Sequence, residues 1–225
     1  MQNRQIIEPK RSIDVIHETD VLVVGSGPGG LSAAIASARC GVKTTLLERF
    51  GCFGGNITVV GVEGFAWYRH EKTVEAGGIG REFEELAKEM GAAVPESQSL
   101  SYELDSEGFK LVADKLVMDS GIHPMLHRSF SMPIMEGNTI IGVIVESKAG
   151  REAILSKVVI DATGDADVAF RAGAQLNTMP VEELMATSVM FHLAGVDKKA
   201  FLSEIQNNPQ SYKDLSLIHI SEPTR

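Results

Sequence analysis

The sequence is poor in cysteine, with Cys40 and Cys52 the only two in 225 residues. Two thiols cannot build a disulfide framework, and they fall short of the four ligands that an iron–sulfur cluster or a structural zinc requires. No metal ligands are therefore assigned, and a reducing, cytoplasmic setting is expected. Cationic charge is also short, at 21 Lys and Arg against 30 Asp and Glu, for a formal charge of −9. That balance offers no cationic field to nucleic acid or an anionic lipid surface, and no Lys/Arg run supplies one locally. No apolar stretch reaches the ~20 residues of a membrane span, and residues 1–10 lack the apolar stretch of a secretion signal. Neither nucleic acid nor membrane is expected as a partner.

What is present is a 44% apolar chain, long enough to bury one or two cores. The run Val21-Leu22-Val23-Val24 reads as a strand buried on both faces, and it ends at Gly25-Ser26-Gly27-Pro28-Gly29-Gly30. A helix follows, with Leu31, Ala34, Ile35 and Ala38 on one face and Gly41 as its stop. Lys43 to Leu47 is a second strand, closing a β-α-β unit of about thirty residues. A glycine-rich loop, Gly51-Cys52-Phe53-Gly54-Gly55-Asn56, comes next. Two amphipathic helices are expected, one carrying Ile79, Phe83, Leu86, Ala87 and Met90, the other Phe109, Val112, Ala113, Leu116 and Val117 behind a cap at Asp105 or Ser106. From Met125 to Ile160 short β-type runs are broken at Glu136-Gly137-Asn138 and Lys148-Ala149-Gly150, which predicts an antiparallel hairpin or meander. It leads into another buried strand ending at Ala162-Thr163-Gly164-Asp165, then a short helix to Gly173.

Gly25, Gly27 and Gly30 form G-x-G-x-x-G between a strand and a helix, the context that makes the pattern informative. The first glycine permits the tight turn, the second lets backbone approach a pyrophosphate, and the third lets helix pack on strand. The helix N-terminus then offers free N–H groups to the anion. Glu48 ends the second strand eighteen residues beyond Gly30 (48 − 30), where a carboxylate can accept from a ribose hydroxyl pair and disfavours a 2′-phosphate. These features do not separate FAD from NAD, since both present adenosine diphosphate to such a unit.

Three segments resemble the FAD-dependent oxidoreductase family of the succinate dehydrogenase/fumarate reductase and heterodisulfide-reductase-A-like type. They are the stretch from Glu18 to Gly30, the stretch from Leu47 to Asn56, and the stretch from Val159 to Ala169. The resemblance spans roughly residues 18 to 197 and implies an α/β, Rossmann-like FAD-binding domain: three layers, a mostly parallel sheet, and a small antiparallel β meander. It implies cofactor contacts from Gly25, Ser26, Gly27, Pro28, Gly29, Gly30, Glu48 and Arg49. It adds Gly54, Gly55 and Asn56 along the pyrophosphate and ribityl chain, and Ala162, Thr163 and Gly164 closing the far side. It also implies that Arg128 to Met132 pass near the adenine. No histidine lies between Gly51 and Tyr68, where some relatives attach the flavin covalently, so non-covalent FAD is expected. Some relatives work with [4Fe–4S] clusters, which two cysteines do not support here.

Arg69 and His70 are the candidates for substrate binding or proton donation, because the loop after the glycine pair runs toward the flavin ring in the family. A surface patch is the plainer reading of the same residues, and the catalytic residues stay unassigned. The expected division is an FAD-binding domain over residues 1–175 and the start of a substrate domain over 176–214. Residues 215–225, Leu-Ser-Leu-Ile-His-Ile-Ser-Glu-Pro-Thr-Arg, resemble a translated sequencing adapter, so the natural chain is expected to continue past about Asp214. The expected function is hydride transfer between the flavin and a small organic substrate, with a redox partner protein possible. A non-catalytic FAD- or NAD-binding module and a flavin electron-transfer subunit serving an iron–sulfur partner are the alternatives.

Overall fold

The computed structural model describes residues 5–7, 9–65, 77–95, 101–185, 187, 189, 191 and 193–210, with 69–70 and 73–74 described by backbone alone. The chain divides into two compact units, Met1–Gln175 and Leu176–Arg225.

The first unit opens with β1 (Val15–Val24), α1 (Pro28–Arg39) and β2 (Thr44–Leu47), and a π-helical turn (Asn56–Val60) follows the glycine-rich loop. Short strands β3 (Gly64–Phe65), β4 (Arg69–His70) and β5 (Thr73–Val74) lead to α2 (Ile79–Glu89), β6 (Ala93–Pro95), β7 (Tyr102–Leu104) and α3 (Ser106–Asp119). Then come β8 (His123–Met125), β9 (Ser129–Glu136), β10 (Thr139–Ser147), β11 (Gly150–Asp161) and α4 (Asp167–Arg171). In the second unit the main element is α5 (Lys198–Asn207), capped by the Asp197 carboxylate, which accepts from the Lys199 and Ala200 amides.

The main sheet has six strands in the order β8-β2-β1-β11-β10-β9. β8, β2, β1 and β11 run parallel, while β11, β10 and β9 form the antiparallel part. This is the expected α/β, mostly parallel architecture with a small antiparallel meander. Two readings of the pattern are corrected. The last meander strand and the strand ending at Asp161 are one element, β11, which pairs with β10 over Gly150 to Leu155 and with β1 along nearly its whole length. Met125 belongs to β8 on the parallel side, opposite Leu47, instead of opening the antiparallel stretch.

Alternation of side chains in β1 sends Val23 to one face and Leu22 and Val24 to the other, and all three are buried. On the first face α1, α2 and α3 cover a core of Val23, Leu31, Ile35, Leu46, Phe83, Phe109 and Val117. On the second, Leu22, Val24 and Leu47 pack with Met125, Val143, Val145, Ile154 and Val168. Burial on both faces explains the unbroken apolar run that marked β1. α3 starts where expected, and of the two possible caps it uses Asp105, whose carboxylate accepts from the Glu107 amide at 2.9 Å and the Gly108 amide at 3.2 Å. Among the described residues no helix is long and apolar enough to cross a membrane.

Candidate functional site

The carboxyl ends of β1, β2 and β11 converge on one cleft of about 730 Å³, within the roughly 300–1,000 Å³ range of small-molecule and cofactor sites. Twelve of the fourteen residues singled out as cofactor contacts line it: Gly25 through Gly29, Glu48, Arg49, Gly55, Asn56 and Ala162 through Gly164. Gly30 and Gly54 stand behind the lining, and both have packing reasons to be glycine. A Cβ on Gly30 would lie 1.9 Å from the Gly25 carbonyl oxygen, and one on Gly54 would lie 2.5 Å from the Thr58 methyl.

The three G-x-G-x-x-G glycines sit in different surroundings. Gly25 has φ +97°, and a Cβ there would meet the Ala162 carbonyl oxygen at 2.4 Å, so the first glycine is required by the end of β11. Gly27 has no heavy atom within 4 Å of where its Cβ would be, and its face opens into the cleft. Gly27 also caps α1 without a side chain, and Pro28 occupies the first turn, where its missing N–H costs no hydrogen bond. The first-turn amides of α1 are left facing an open cleft, the arrangement that binds phosphate.

The second glycine pair touches the first. Gly55 has φ +56°, and a Cβ on it would sit 2.7 Å from the Gly27 Cα. The Gly54 amide donates to the Ser26 carbonyl at 2.9 Å, fixing the two loops side by side. Beyond Gly55 the Asn56–Val60 π-helical turn carries Val59 and Val60, which line the cleft and remain partly exposed. Such single π turns recur at functional sites, and no periodicity in five residues marks one in sequence.

Glu48 is only 6% exposed yet borders the cleft. Its Oε2 accepts from the Ser26 amide at 3.0 Å and the Ser26 hydroxyl at 2.6 Å, while Oε1 accepts from the Phe50 amide at 2.9 Å. The carboxylate is thus a bolt between two loops before it is a ligand contact. Arg128 and the start of β9 supply the outer wall. Glu48 donates its amide to the Met125 carbonyl and accepts the Arg128 amide at its own carbonyl, which brings Arg128, Ser129 and Phe130 to the cleft. The Arg128 guanidinium donates to Glu152 at 3.3 Å.

The third wall depends on Asp161, a residue to which the sequence pattern gives no role. Asp161 Oδ1 accepts from the Thr163 amide at 3.1 Å and the Thr163 hydroxyl at 2.8 Å, and Oδ2 accepts from the Ala169 amide at 2.9 Å. Thr163 Oγ1 in turn accepts from the Asp167 amide at 2.9 Å. Asp161 therefore shapes the turn that carries Ala162, Thr163 and Gly164, and its signal in sequence was a carboxylate closing an apolar strand. Ala166, at φ +57°, absorbs the reversal into α4.

Arg69 and His70 form β4, paired with β5, and their side chains lie outside the described residues, as do residues 215–225. Among the described residues no three His, Cys, Asp or Glu side chains are grouped to hold a metal ion.

A sequence profile of FAD dependent oxidoreductases matches residues 20–222. The chain belongs to that family. Thiamine thiazole synthase of Metallosphaera sedula is 33% identical over 160 residues, 66% of this chain and 55% of that protein. The enzyme of the same name from Saccharolobus solfataricus is 33% identical over 162 residues, 67% of this chain and 57% of that protein. The chain thus spans little more than half the length of these curated relatives. Among solved structures, a geranylgeranyl bacteriochlorophyll reductase-like protein of Thermoplasma acidophilum superimposes with a TM-score of 0.52 at 20% identity, covering 71% of this chain and 43% of that one. Thermovibrio ammonificans THI4 gives 0.50 at 22% identity, covering 68% of this chain and 61% of that one. These structural likenesses support the shared fold.

Proposed function

We propose that the cleft binds FAD non-covalently and that the protein transfers hydride between this flavin and a small organic substrate. The observation that carries the reading is the junction of Gly27 and Gly55. Two glycine loops from different parts of the chain meet at the open N-terminus of α1, inside a cleft of about 730 Å³. The backbone space at Gly27 fits a pyrophosphate, Glu48 Oε1 fits a ribose hydroxyl, and the wall of Arg128 to Phe130 fits an adenine. The flavin would supply the redox chemistry when bound, and the chain would supply binding and orientation. Within the family, we infer from the resemblance of the three motif segments the succinate dehydrogenase/fumarate reductase and heterodisulfide-reductase-A-like type. Residues 1–175 are proposed as the FAD-binding domain and the following unit as the start of a substrate domain, in a cytoplasmic protein. Arg69 and His70 stay as candidates for contact with the substrate.

The identity to thiamine thiazole synthases favours a second reading, in which the same cleft holds an adenosine dinucleotide for thiazole formation. The released ligand separates the two. Denaturing the purified protein should yield stoichiometric FAD with a flavin absorbance spectrum, bleached by a reductant and restored by a substrate or acceptor. Stoichiometric NAD without flavin absorbance would overturn the FAD reading.

A further inference from the structure

We propose that Ser26 is a positioning residue for Glu48: its hydroxyl aims the carboxylate at the adenosine ribose, so ribose recognition depends on a residue that does not itself touch the sugar. The inference rests on the dinucleotide reading of the cleft. Ser26 occupies the first variable position of G-x-G-x-x-G and is fully buried. A turn at that position needs only backbone, so the hydroxyl is not demanded by the fold of the loop. It is spent on Glu48 Oε2 at 2.6 Å, shorter than the two amide contacts to the same carboxylate at 3.0 and 2.9 Å. An O–H donor this close to an ionised oxygen makes one of the stronger protein hydrogen bonds.

An ionised carboxylate offers about four acceptor sites. Oε2 has both of its sites filled by Ser26, and Oε1 has one filled by Phe50. The site left over is on Oε1, and Glu48 borders the cleft. Loss of the Ser26 hydroxyl strips the nearly buried Glu48 of its shortest partner. The carboxylate then turns toward the cleft to recover hydration, carrying Oε1 off the line to the sugar.

The test uses the 225-residue chain, ADP and 2′,3′-dideoxy-ADP, with affinities from calorimetric titration and folding checked by thermal melting. The unaltered chain should prefer ADP. Ser26→Ala should lose about ten-fold in ADP affinity, the scale of one charge-assisted hydrogen bond, and should bind the dideoxy analogue as tightly as the unaltered chain does. Equal losses on both ligands would make Ser26 merely structural and overturn the proposal, as would no loss on either. Should Ser26→Ala fail to fold, Ser26→Cys, with a weaker donor in the same place, must show the same selective loss. If the unaltered chain binds ADP and the analogue equally, Glu48 does not read the ribose and the proposal fails while the dinucleotide reading stands; if it binds neither, that reading fails too.

Discussion

Gly55 rests on Gly27: a Cβ added to the former would come within 2.7 Å of the latter's Cα. The contact joins two loops separated by the whole of α1 and β2, and it makes the two glycines answer to different substitutions. Gly27→Ala points its methyl into the open cleft, so it should weaken FAD binding at least ten-fold with little change in thermal midpoint. Gly55→Ala forces a side chain onto a backbone at φ +56°, ψ −116°, a sparsely populated conformation that costs about 1–3 kcal/mol, and also into the Gly27 loop. Its main effect should be a lower urea midpoint. Equal effects of the two on stability would contradict this division.

Glu48→Ala should damage folding as well as binding. The substitution leaves the Ser26 amide, the Ser26 hydroxyl and the Phe50 amide without their acceptor, and a buried unsatisfied donor costs about 1–3 kcal/mol. Chemical denaturation of the ligand-free protein should show the loss. Glu48→Gln keeps an acceptor oxygen and should lose less stability while still losing FAD affinity.

Asp161→Ala should open the far wall of the cleft. The Thr163 amide and hydroxyl and the Ala169 amide lose their common acceptor, so the Ala162–Gly164 turn should exchange its amide hydrogens faster while the amides of β1 stay protected. Uniform loss of protection across the sheet would show that Asp161 acts on global stability instead.

Acid should weaken the fold through His17. Its ring stacks on His123 at 4.4 Å between centroids and its Nε2 lies 2.9 Å from the Thr45 hydroxyl. Burial first, then the neighbouring charges of His123 and Lys43, hold its pKa below the ordinary 6.5. The unfolded chain therefore takes up the proton more readily than the folded one. The penalty is absent above about pH 6.5 and grows as the pH falls from there toward the lower, folded value. Urea midpoints measured across this range should decline on acidification, and His17→Gln should flatten the slope.

The β-α-β unit and its glycine turn were readable from the residues because every signal there is local: a two-face apolar run, a helix with one apolar face, a glycine stop and an acid at a strand end. The same holds for Asp105, whose capping bonds reach only two and three residues ahead. β11 was read as two elements because its first half pairs with β10, overlapping β1 from Ala153, while its apolar second half has β1 alone beside it. A strand that loses one neighbour midway changes its pattern without changing its backbone. The π-helical turn and the double duty of Glu48 were also hidden. Five residues are too few to show the period of a π turn, and nothing in a lone glutamate names Ser26, its partner 22 residues away.

The walls of the cleft are stitched by bonds that run from protein to protein: Gly25 to Leu47, Gly54 to Ser26, Ala162 to Val24 and Arg128 to Glu48. None of them borrows an atom from a ligand. The entropy of arranging these loops is therefore spent during folding and is not charged again at association. Capture of the dinucleotide should then proceed as a single bimolecular step, with an observed rate that rises linearly with ligand concentration. Affinity differences among variants should be carried mainly by how fast the cofactor escapes.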